Sequence, residues 1–168
     1  MEVKTHKYWP LALIGFFLVY FGSSNDAFSL NLASKGSYLT LASNTFIFNP
    51  RSLTWKAVKN GKVIRSGKAS GGSKYCKDVR RACRTPSGTY RIISKGSASC
   101  RSSKYPLPNG GAKMPYCMFF SKNYAIHGSY DVPNYNASHG CIRVRPSDAL
   151  WLHRNFIRIG TKVIVQSY

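Results

Sequence analysis

The sequence predicts a mostly β fold with one helix near the end of the chain. Three observations support this: many short segments have strand composition, glycine and proline turns separate them, and only one late segment has the character of a helix. The length of 168 residues suffices for one domain with a hydrophobic core. A hydrophobic fraction of 43% and an aromatic fraction of 14% indicate a folded protein rather than a disordered one.

The N-terminal segment has the composition of an export signal. Lys4 and Lys7 precede an uncharged apolar run over residues 11–22, and small and polar residues follow. The run is shorter than the roughly 20 residues that a membrane-spanning helix needs. We therefore expect residues 1–24 to be a signal peptide cleaved near residues 24–27, or an uncleaved anchor that would be the chain's one membrane contact. Either way, the remainder is expected to be exported.

The first half of the exported part is predicted to contain strands. Residues 28–45 are expected to form an extension with a candidate strand near 38–41, and residues 46–168 the domain itself. A second candidate strand covers 45–49. The clearest local signal is Asn60-Gly61 between two runs of strand character, because both residues of a type I′ hairpin turn must accept positive φ.

The middle of the chain alternates loops and short strands. Residues 76–83 form a predicted loop with one helical turn over 78–82. A Thr-Pro-Ser-Gly turn leads into a strand over 89–94. Residues 95–115 form a long loop, a type that usually serves function as a lid or substrate wall. Short strands over 116–120 and 124–126 are expected to end at His127.

The C-terminal region supplies the predicted helix. The segment Pro146-Ser147-Asp148 is expected to cap a helix that continues through about Phe156, with Ser147 as N-cap and Asp148 in the first turn. A Gly-Thr turn then begins the last strand, over residues 162–166.

Charge limits the classes of partner and of chemistry. The formal net charge is +20, from 25 Lys and Arg against 5 Asp and Glu, which predicts an acidic partner. No nucleic-acid-binding motif accompanies the export signal, so an anionic envelope polymer is expected and nucleic acid is not. So few scattered carboxylates argue against a glycosidase carboxylate pair and against carboxylate metal sites.

The five cysteines are an odd number, which leaves one free thiol in an oxidising compartment. With Cys141 set aside, four remain and allow three pairings. Cys76 with Cys83 and Cys100 with Cys117 is the preferred one. No zinc site is expected, because no C-x2-C pair exists.

The richest segment is AIHGSYDVPNYNASHGCIRV, residues 125–144. It combines a thiol, two imidazoles, a guanidinium and glycines within one short run. A thiolate can attack a carbonyl, a histidine can remove its proton, and backbone N–H groups can stabilise the oxyanion. The segment therefore predicts cysteine-dependent acyl transfer without a metal or other cofactor.

The run SHGCIR over 138–143, with His127-Gly128 upstream, resembles the signature of the L,D-transpeptidase catalytic domain family (YkuD type). The hairpin, the Thr-Pro-Ser-Gly-Thr-Tyr segment and the last strand are also similar to that domain. The segment Met114–Phe120 together with the extra cysteines resembles a subgroup of short exported members from Gram-negative bacteria, the enhanced-entry-protein-like subgroup. This resemblance implies a location in the periplasm or cell envelope. The resemblance implies a β-sandwich-like domain with one helix in its C-terminal region. It implies attack on peptidoglycan stem peptides, loss of the terminal D-alanine, and transfer of the acyl group to an amine or to water.

The resemblance also implies roles for individual residues. Cys141 would be the nucleophile and His127 the base, its ring oriented by the backbone carbonyl of Gly128. His139 and the N–H groups of Gly140 and Cys141 would line the oxyanion site. Ser138 would support the turn. Arg143 would hold the loop or bind a substrate carboxylate.

Three alternatives remain open. The acceptor could be a second stem peptide, giving a 3→3 cross-link, or another D-amino acid. The same site could act as an L,D-carboxypeptidase or as a protein-to-peptidoglycan ligase, since only ten residues separate His127 from Ser138 and acceptor choice depends on the loop between them. A basic envelope-binding protein without catalysis is the alternative from another class.

Overall fold

The computed structural model describes residues 43–168. The predicted signal or anchor and the candidate strand near 38–41 lie outside the described residues. Nine strands form one sheet in the order β4-β9-β1-β2-β3-β8-β7-β6-β5. Their bounds are β1 Asn44–Asn49, β2 Thr54–Lys59, β3 Lys62–Ser70, β4 Gly88–Arg91, β5 Ser94–Lys95, β6 Met118–Phe119, β7 Ala125–Gly128, β8 Ile142–Val144 and β9 Lys162–Val165. The fold is mostly β, as predicted.

Strand β3 belongs to both halves of the sheet. Its first part pairs antiparallel with β2, and its last two residues, Ala69 and Ser70, pair with Val144 and Arg143 of β8. A register shift between Ala57 and Val58 interrupts the β2–β3 pairing, and such irregularities bend a sheet. The sheet therefore curls, which accounts for the predicted likeness to a sandwich.

One hydrophobic core serves both halves of the sheet and the helical segment. Its fully or almost fully buried members come from β1, β2, β3 and β9, from β6, β7 and β8, from residues 149–157, and from Ile92 and Phe120. The largest are Trp55, Phe46, Phe48, Ile92 and Met118. Each such side chain contributes about 1.5–3 kcal/mol through removal from water, so the site is built on a well-supported framework.

The hairpin at Asn60-Gly61 is confirmed. Both residues have positive φ, 50° and 77° respectively, and β2 and β3 pair on either side.

The predicted strand over 89–94 is divided in two. β4 pairs with β9, whereas β5 pairs with β6. Between them, the N–H of Ile92 donates to Thr161 and that of Ile93 to Phe119. The segment passes from one half of the sheet to the other, a change of partner that its composition did not indicate.

The helix is shorter than predicted and has a different cap. The α-helix, α1, is Pro146–Trp151, its N-cap is Arg145, and a π-helical turn follows over Leu152–Phe156. The prediction of Ser147 as N-cap is wrong because Pro146 occupies the first helical position, where its fixed φ and missing N–H are tolerated best. Asp148 lies in the first turn as predicted and forms an ion pair with Arg65 at 2.9 Å. Within residues 43–168, no helix is long and apolar enough to cross a membrane.

The predicted helical turn over 78–82 is also wrong. Residues 77–80 form a turn that an antiparallel bridge between Cys76 and Arg81 closes. Arg80 has φ of 49°, which a right-handed helix excludes. The Cys76–Cys83 disulfide joins the ends of this loop, and the Cys100–Cys117 disulfide closes a longer loop. This pairing is the one preferred from the sequence.

Candidate active site

The parallel pairing of β7 and β8 brings the two halves of the motif together. Ile126 pairs with Ile142 and His127 with Arg143, which puts Cys141 level with Ala125. Side chains alternate between the faces of a sheet. Ile126 and Ile142 therefore face the core, while His127, Arg143 and Cys141 lie on the opposite face, with the thiol diagonal to the imidazole.

A backbone carbonyl fixes the His127 ring. Its Nδ1 lies 2.9 Å from the carbonyl oxygen of Gly128. Because a carbonyl oxygen only accepts hydrogen bonds, Nδ1 carries the proton and donates it. In the neutral ring, Nε2 is then unprotonated and can accept a proton, which is the state that a general base requires.

Burial keeps His127 neutral. The residue is only 6% exposed. Loss of solvation lowers its pKa to about 4. The hydrogen bond to Gly128 acts in the opposite direction, and the charge of Arg143 lowers the pKa slightly further. The imidazole is therefore uncharged at neutral pH.

Cys141 is the free thiol among the described residues. It packs with Met114, Ala125 and Phe119 in a small apolar cluster. Burial raises the pKa of its thiol, although the backbone of Ala125 and the charge of Arg143 act in the other direction. The resting site thus contains a neutral thiol beside a neutral imidazole rather than a thiolate–imidazolium pair.

The Ser138 hydroxyl holds the turn that presents the thiol. It accepts a hydrogen bond from the Gly140 N–H at 3.0 Å and donates one to the Cys141 carbonyl at 2.5 Å. These two hydrogen bonds are the contacts through which Ser138 would play the supporting role expected of it. The N–H of Gly140, which the resemblance places in the oxyanion site, is engaged by Ser138 here.

The position of Gly140 has no room for a side chain. Its φ is 123°, and a Cβ there would collide with the Tyr124 ring. The glycine of the motif is therefore required for both backbone conformation and space.

The imidazole of His139 has two partners from distant loops. Its Nε2 lies 2.8 and 3.0 Å from the two carboxylate oxygens of Asp78. The ring of Tyr105 stacks on it, with centroids 4.1 Å apart. These contacts hold the ring at the rim of the site.

Arg143 binds the loop between the two motif parts. Its guanidinium donates to Asp131 at 2.6 Å. The other end of this loop is fixed to β3 through Ser70, whose hydroxyl donates to the Tyr135 carbonyl and accepts from the Ala137 N–H. The predicted compact loop over 129–137 is thus anchored at both ends.

A cavity of about 210 Å³ opens onto Cys141 and His139. His127 is not among the residues that line it. The long loop contributes part of the wall, in agreement with the prediction for residues 95–115. The other lining residues are Arg81, Arg101, Ser102, Ser103, Lys104, Tyr105, Met114, Phe119, Lys122, Asn123 and Tyr124. Four of them are cationic, so the cavity suits a substrate with carboxylate groups.

Sequence reasoning missed Asp78 as part of this site. The available signal was weak: a rare acidic residue in a very basic chain, placed between two cysteines that form a disulfide. Cys76, Asp78 and His139 have potential metal-ligand atoms within 4.8 Å of one another. Cys76 is bonded to Cys83, so this group does not match a usual metal site.

Comparisons with known proteins agree with the geometry. The family model of the L,D-transpeptidase catalytic domain, YkuD, matches residues 44–165. No curated protein sequence matched the chain.

Several solved structures are similar. A Xylanimonas cellulosilytica L,D-transpeptidase is 27% identical with a TM-score of 0.62, over 74% of this chain and 60% of that one. An L,D-transpeptidase from Mycobacterium smegmatis is 24% identical with a TM-score of 0.62, over 75% and 59% of the two chains. L,D-transpeptidase 3 from Mycobacterium tuberculosis, solved with a faropenem-derived adduct, is 23% identical with a TM-score of 0.61, over 75% and 61%. The chain thus spans about 60% of the first of these structures, and the last two show the fold alone.

Proposed function

The chain belongs to the L,D-transpeptidase catalytic domain family, and we propose that it is an exported enzyme that transfers peptidoglycan stem peptides through Cys141. The observation that carries the proposal is the state of His127: its Nδ1–H donates to Gly128, which leaves Nε2 as an acceptor on the face that also bears the thiol. Export is proposed from the composition of residues 1–24 and places the enzyme in the periplasm or cell envelope.

The first half of the reaction forms an acyl-enzyme. A stem peptide binds in the cavity with a carbonyl next to Cys141. His127 Nε2 takes the thiol proton as Sγ attacks the carbonyl carbon, so no free thiolate need accumulate. The tetrahedral intermediate collapses to a thioester, and the imidazolium gives its proton to the departing amine of the terminal D-amino acid.

The second half transfers the acyl group. An acceptor amine, such as one from a second stem peptide, attacks the thioester while His127 removes its proton. The C–S bond breaks and the thiol is regenerated. If the acceptor is an amine, the product is a 3→3 cross-link or a peptide with an exchanged D-amino acid. If the acceptor is water, the thioester is hydrolysed and the enzyme acts as an L,D-carboxypeptidase.

The charge of the cavity supports an acidic donor peptide. The cationic residues of its lining are Arg81, Arg101, Lys104 and Lys122. In the walls of a cavity, such charges act through a lower dielectric than at an open surface. They favour a donor with free carboxylates, as in a peptidoglycan stem.

The direct test incubates the exported part of the chain with disaccharide-tetrapeptide muropeptides and identifies the products by mass spectrometry. Loss of D-alanine with dimer formation is expected, and neither should occur with Cys141→Ala. His127→Gln should be as inactive as Cys141→Ala, whereas His153→Gln, a change at the other described histidine outside the cavity, should remain active. Loss of D-alanine without dimers would point to carboxypeptidase action.

Faropenem offers a second measurement, because one solved relative carries an adduct derived from it. We expect one covalent addition per chain, located at Cys141 by peptide mapping. No addition and no change of muropeptides by a folded protein would reject the enzymatic proposal.

The large positive charge favours one other function, an envelope-binding protein without catalysis. Such a protein would bind purified cell wall equally well with and without Cys141. The muropeptide assay separates the two functions, since only the enzyme depends on the thiol.

A further inference from the structure

Two loops, each closed by a disulfide, both contact the imidazole of His139. The reaction proposed above does not use these two contacts. Asp78 lies in the loop closed by Cys76 and Cys83, and Tyr105 lies in the loop closed by Cys100 and Cys117. The carboxylate approaches Nε2 at 2.8 Å, and the tyrosine ring covers one face of the imidazole. We propose that Asp78 is a positioning residue for His139 and that the Cys76–Cys83 disulfide keeps Asp78 in place.

The contact between Asp78 and His139 is by itself too exposed to fix the ring, whether or not the imidazole is charged. The side chains of His139 and Asp78 are 28% and 45% exposed. Exposed ion pairs between freely moving side chains contribute little, because solvent screens them and ordering both side chains costs entropy. Some further restraint must therefore hold Asp78 near His139.

The disulfide loop supplies that restraint. The disulfide spans seven positions, and the Cys76–Arg81 bridge adds hydrogen bonds in both directions. The segment just before the loop is bonded to the turn that carries Cys141: Gly72 bridges Ser138, and the Ser73 N–H donates to the Ser138 carbonyl at 2.8 Å. The Cys83 N–H in turn donates to the Ser73 carbonyl at 3.2 Å, which joins the loop to this segment. Asp78 is thus fixed relative to His139 before any substrate binds, and such preorganisation lowers the cost of making the contact.

The contact also determines which ring atom is available. Because a carboxylate accepts hydrogen bonds, Nε2 of His139 donates to Asp78. Only Nδ1 then remains for other partners. Asp78 acts on the reaction through His139, which lines the cavity beside Cys141. This inference deepens the proposed transpeptidase function, and its kinetic part rests on that function.

A double-mutant cycle tests the kinetic part. Asp78→Ala should lower kcat/KM for muropeptides about tenfold, as expected for the loss of a coupled contact, and Asp78→Glu should recover part of the loss. In a His139→Ala background, Asp78→Ala should have no further effect. Lys77→Gln, an exposed change in the same loop, should leave kcat/KM unchanged. Additive losses from Asp78→Ala and His139→Ala would overturn the proposal.

A second cycle tests the disulfide. Cys76→Ser/Cys83→Ser should reproduce the loss seen with Asp78→Ala, and adding Asp78→Ala should change little more. An Asp78→Ala effect that persists in full without the disulfide would contradict the restraint by the loop. If the double serine variant does not fold, the same comparison is made with the disulfide of the folded wild type opened by a dithiol.

Nuclear magnetic resonance tests the positioning without reference to activity. The Nε2–H of His139 should give a hydrogen-bonded resonance protected from solvent exchange in the wild type and Lys77→Gln. It should be lost in Asp78→Ala. An unchanged resonance in Asp78→Ala would overturn the proposal even if the enzyme is active. An inactive wild type that shows the expected resonances would reject the transpeptidase function and leave the positioning intact.

Discussion

At the scale of residues, opposite pKa shifts keep both the imidazole of His127 and the thiol of Cys141 uncharged near neutral pH. Burial lowers the pKa of His127 and raises that of Cys141. A thiolate–imidazolium pair would need the reverse shifts. In the proposed reaction the thiol proton would therefore move only when a carbonyl is in place, and a thiol that stays protonated until then reacts more slowly with oxidants.

Alkylation of the native protein by iodoacetamide tests this state. One thiol should react, at a rate that is low near neutral pH and keeps rising above the ordinary pKa of cysteine, because only the thiolate reacts. Mass spectrometry should place the label on Cys141. A rate that is already at its plateau in mildly acidic solution would indicate a thiolate–imidazolium pair instead. Five labelled thiols without reductant would contradict the two disulfides.

The low pKa of His127 also predicts how stability depends on pH. The unfolded chain binds a proton at this residue below its ordinary pKa of 6.5, whereas the folded chain resists protonation until about pH 4. The unfolded state therefore binds more protons in this window, and the free energy of unfolding falls as pH falls from 6.5 to 4, by up to about 3 kcal/mol.

Urea denaturation across this pH range measures the effect. His127→Gln should remove most of the pH dependence. His153→Gln should remove less, because His153 is less buried although burial lowers its pKa too. An unchanged pH dependence in His127→Gln would contradict the burial of a neutral imidazole.

Residue identities located the candidate site in the sequence, but they did not predict the contacts within it. The two histidines, the cysteine and the glycines could be found by type and spacing. The Asp78–His139 contact could not, because it joins residues 61 positions apart whose approach depends on two loops. Likewise, nothing in the sequence indicated that the Gly140 N–H would bond to Ser138.

At the scale of elements, the turn before β8 is the most constrained part of the site. Gly140→Ala should destabilise the protein by about 1–3 kcal/mol, since an L-residue is strained at this φ and the new methyl group collides with Tyr124. It should also lower activity, because the displaced turn carries Cys141. Thermal unfolding and the muropeptide assay measure the two effects.

Gly61→Ala is the matched control for this change. Gly61 also has positive φ, but nothing lies within 4 Å of its Cβ position. It should lose some stability and keep its activity. Equal activity of Gly140→Ala and wild type would contradict the tight packing at the turn.

Local sequence signals specified some elements and not others. The β2–β3 hairpin was predictable because Asn-Gly satisfies the backbone of its own turn. The division of β4 from β5 was not, because it reflects the neighbours that each half meets across the sheet. The short α1 reflects Pro146 at its start and the π-helical turn that follows, and the latter has no local signature in this sequence.

At the scale of the whole molecule, the described part of the chain has far more cations than anions. Its acidic side chains all have partners within the fold: Asp131 and Asp148 pair with arginines, and Asp78 accepts a hydrogen bond from His139. Most lysines and arginines are thus left to interact with solvent or an acidic partner. The net charge indicates that a partner would be acidic. It does not indicate which acidic molecule that would be, which depends on the candidate site.

Binding to purified peptidoglycan should therefore weaken steeply as salt is raised. Cys141→Ala should bind as well as the wild type, because the thiol is not part of the charged surface. Lys56→Gln/Lys59→Gln/Lys62→Gln, exposed changes on the β2–β3 hairpin, should bind more weakly while retaining activity on small muropeptides. Sedimentation with the wall at several ionic strengths measures this, and binding that is indifferent to salt would contradict it.

The position of β9 has a consequence for how the chain is made. This late strand lies between β4 and β1 and brings Val163 and Val165 into the core. While the ribosome is still adding residues 162–165, β1 and β4 lack the strand that joins them. Pairing over such a sequence distance is slow to form. The sheet therefore cannot be completed until residues 162–165 are present, and every shorter nascent chain leaves β1 and β4 without the strand that connects them.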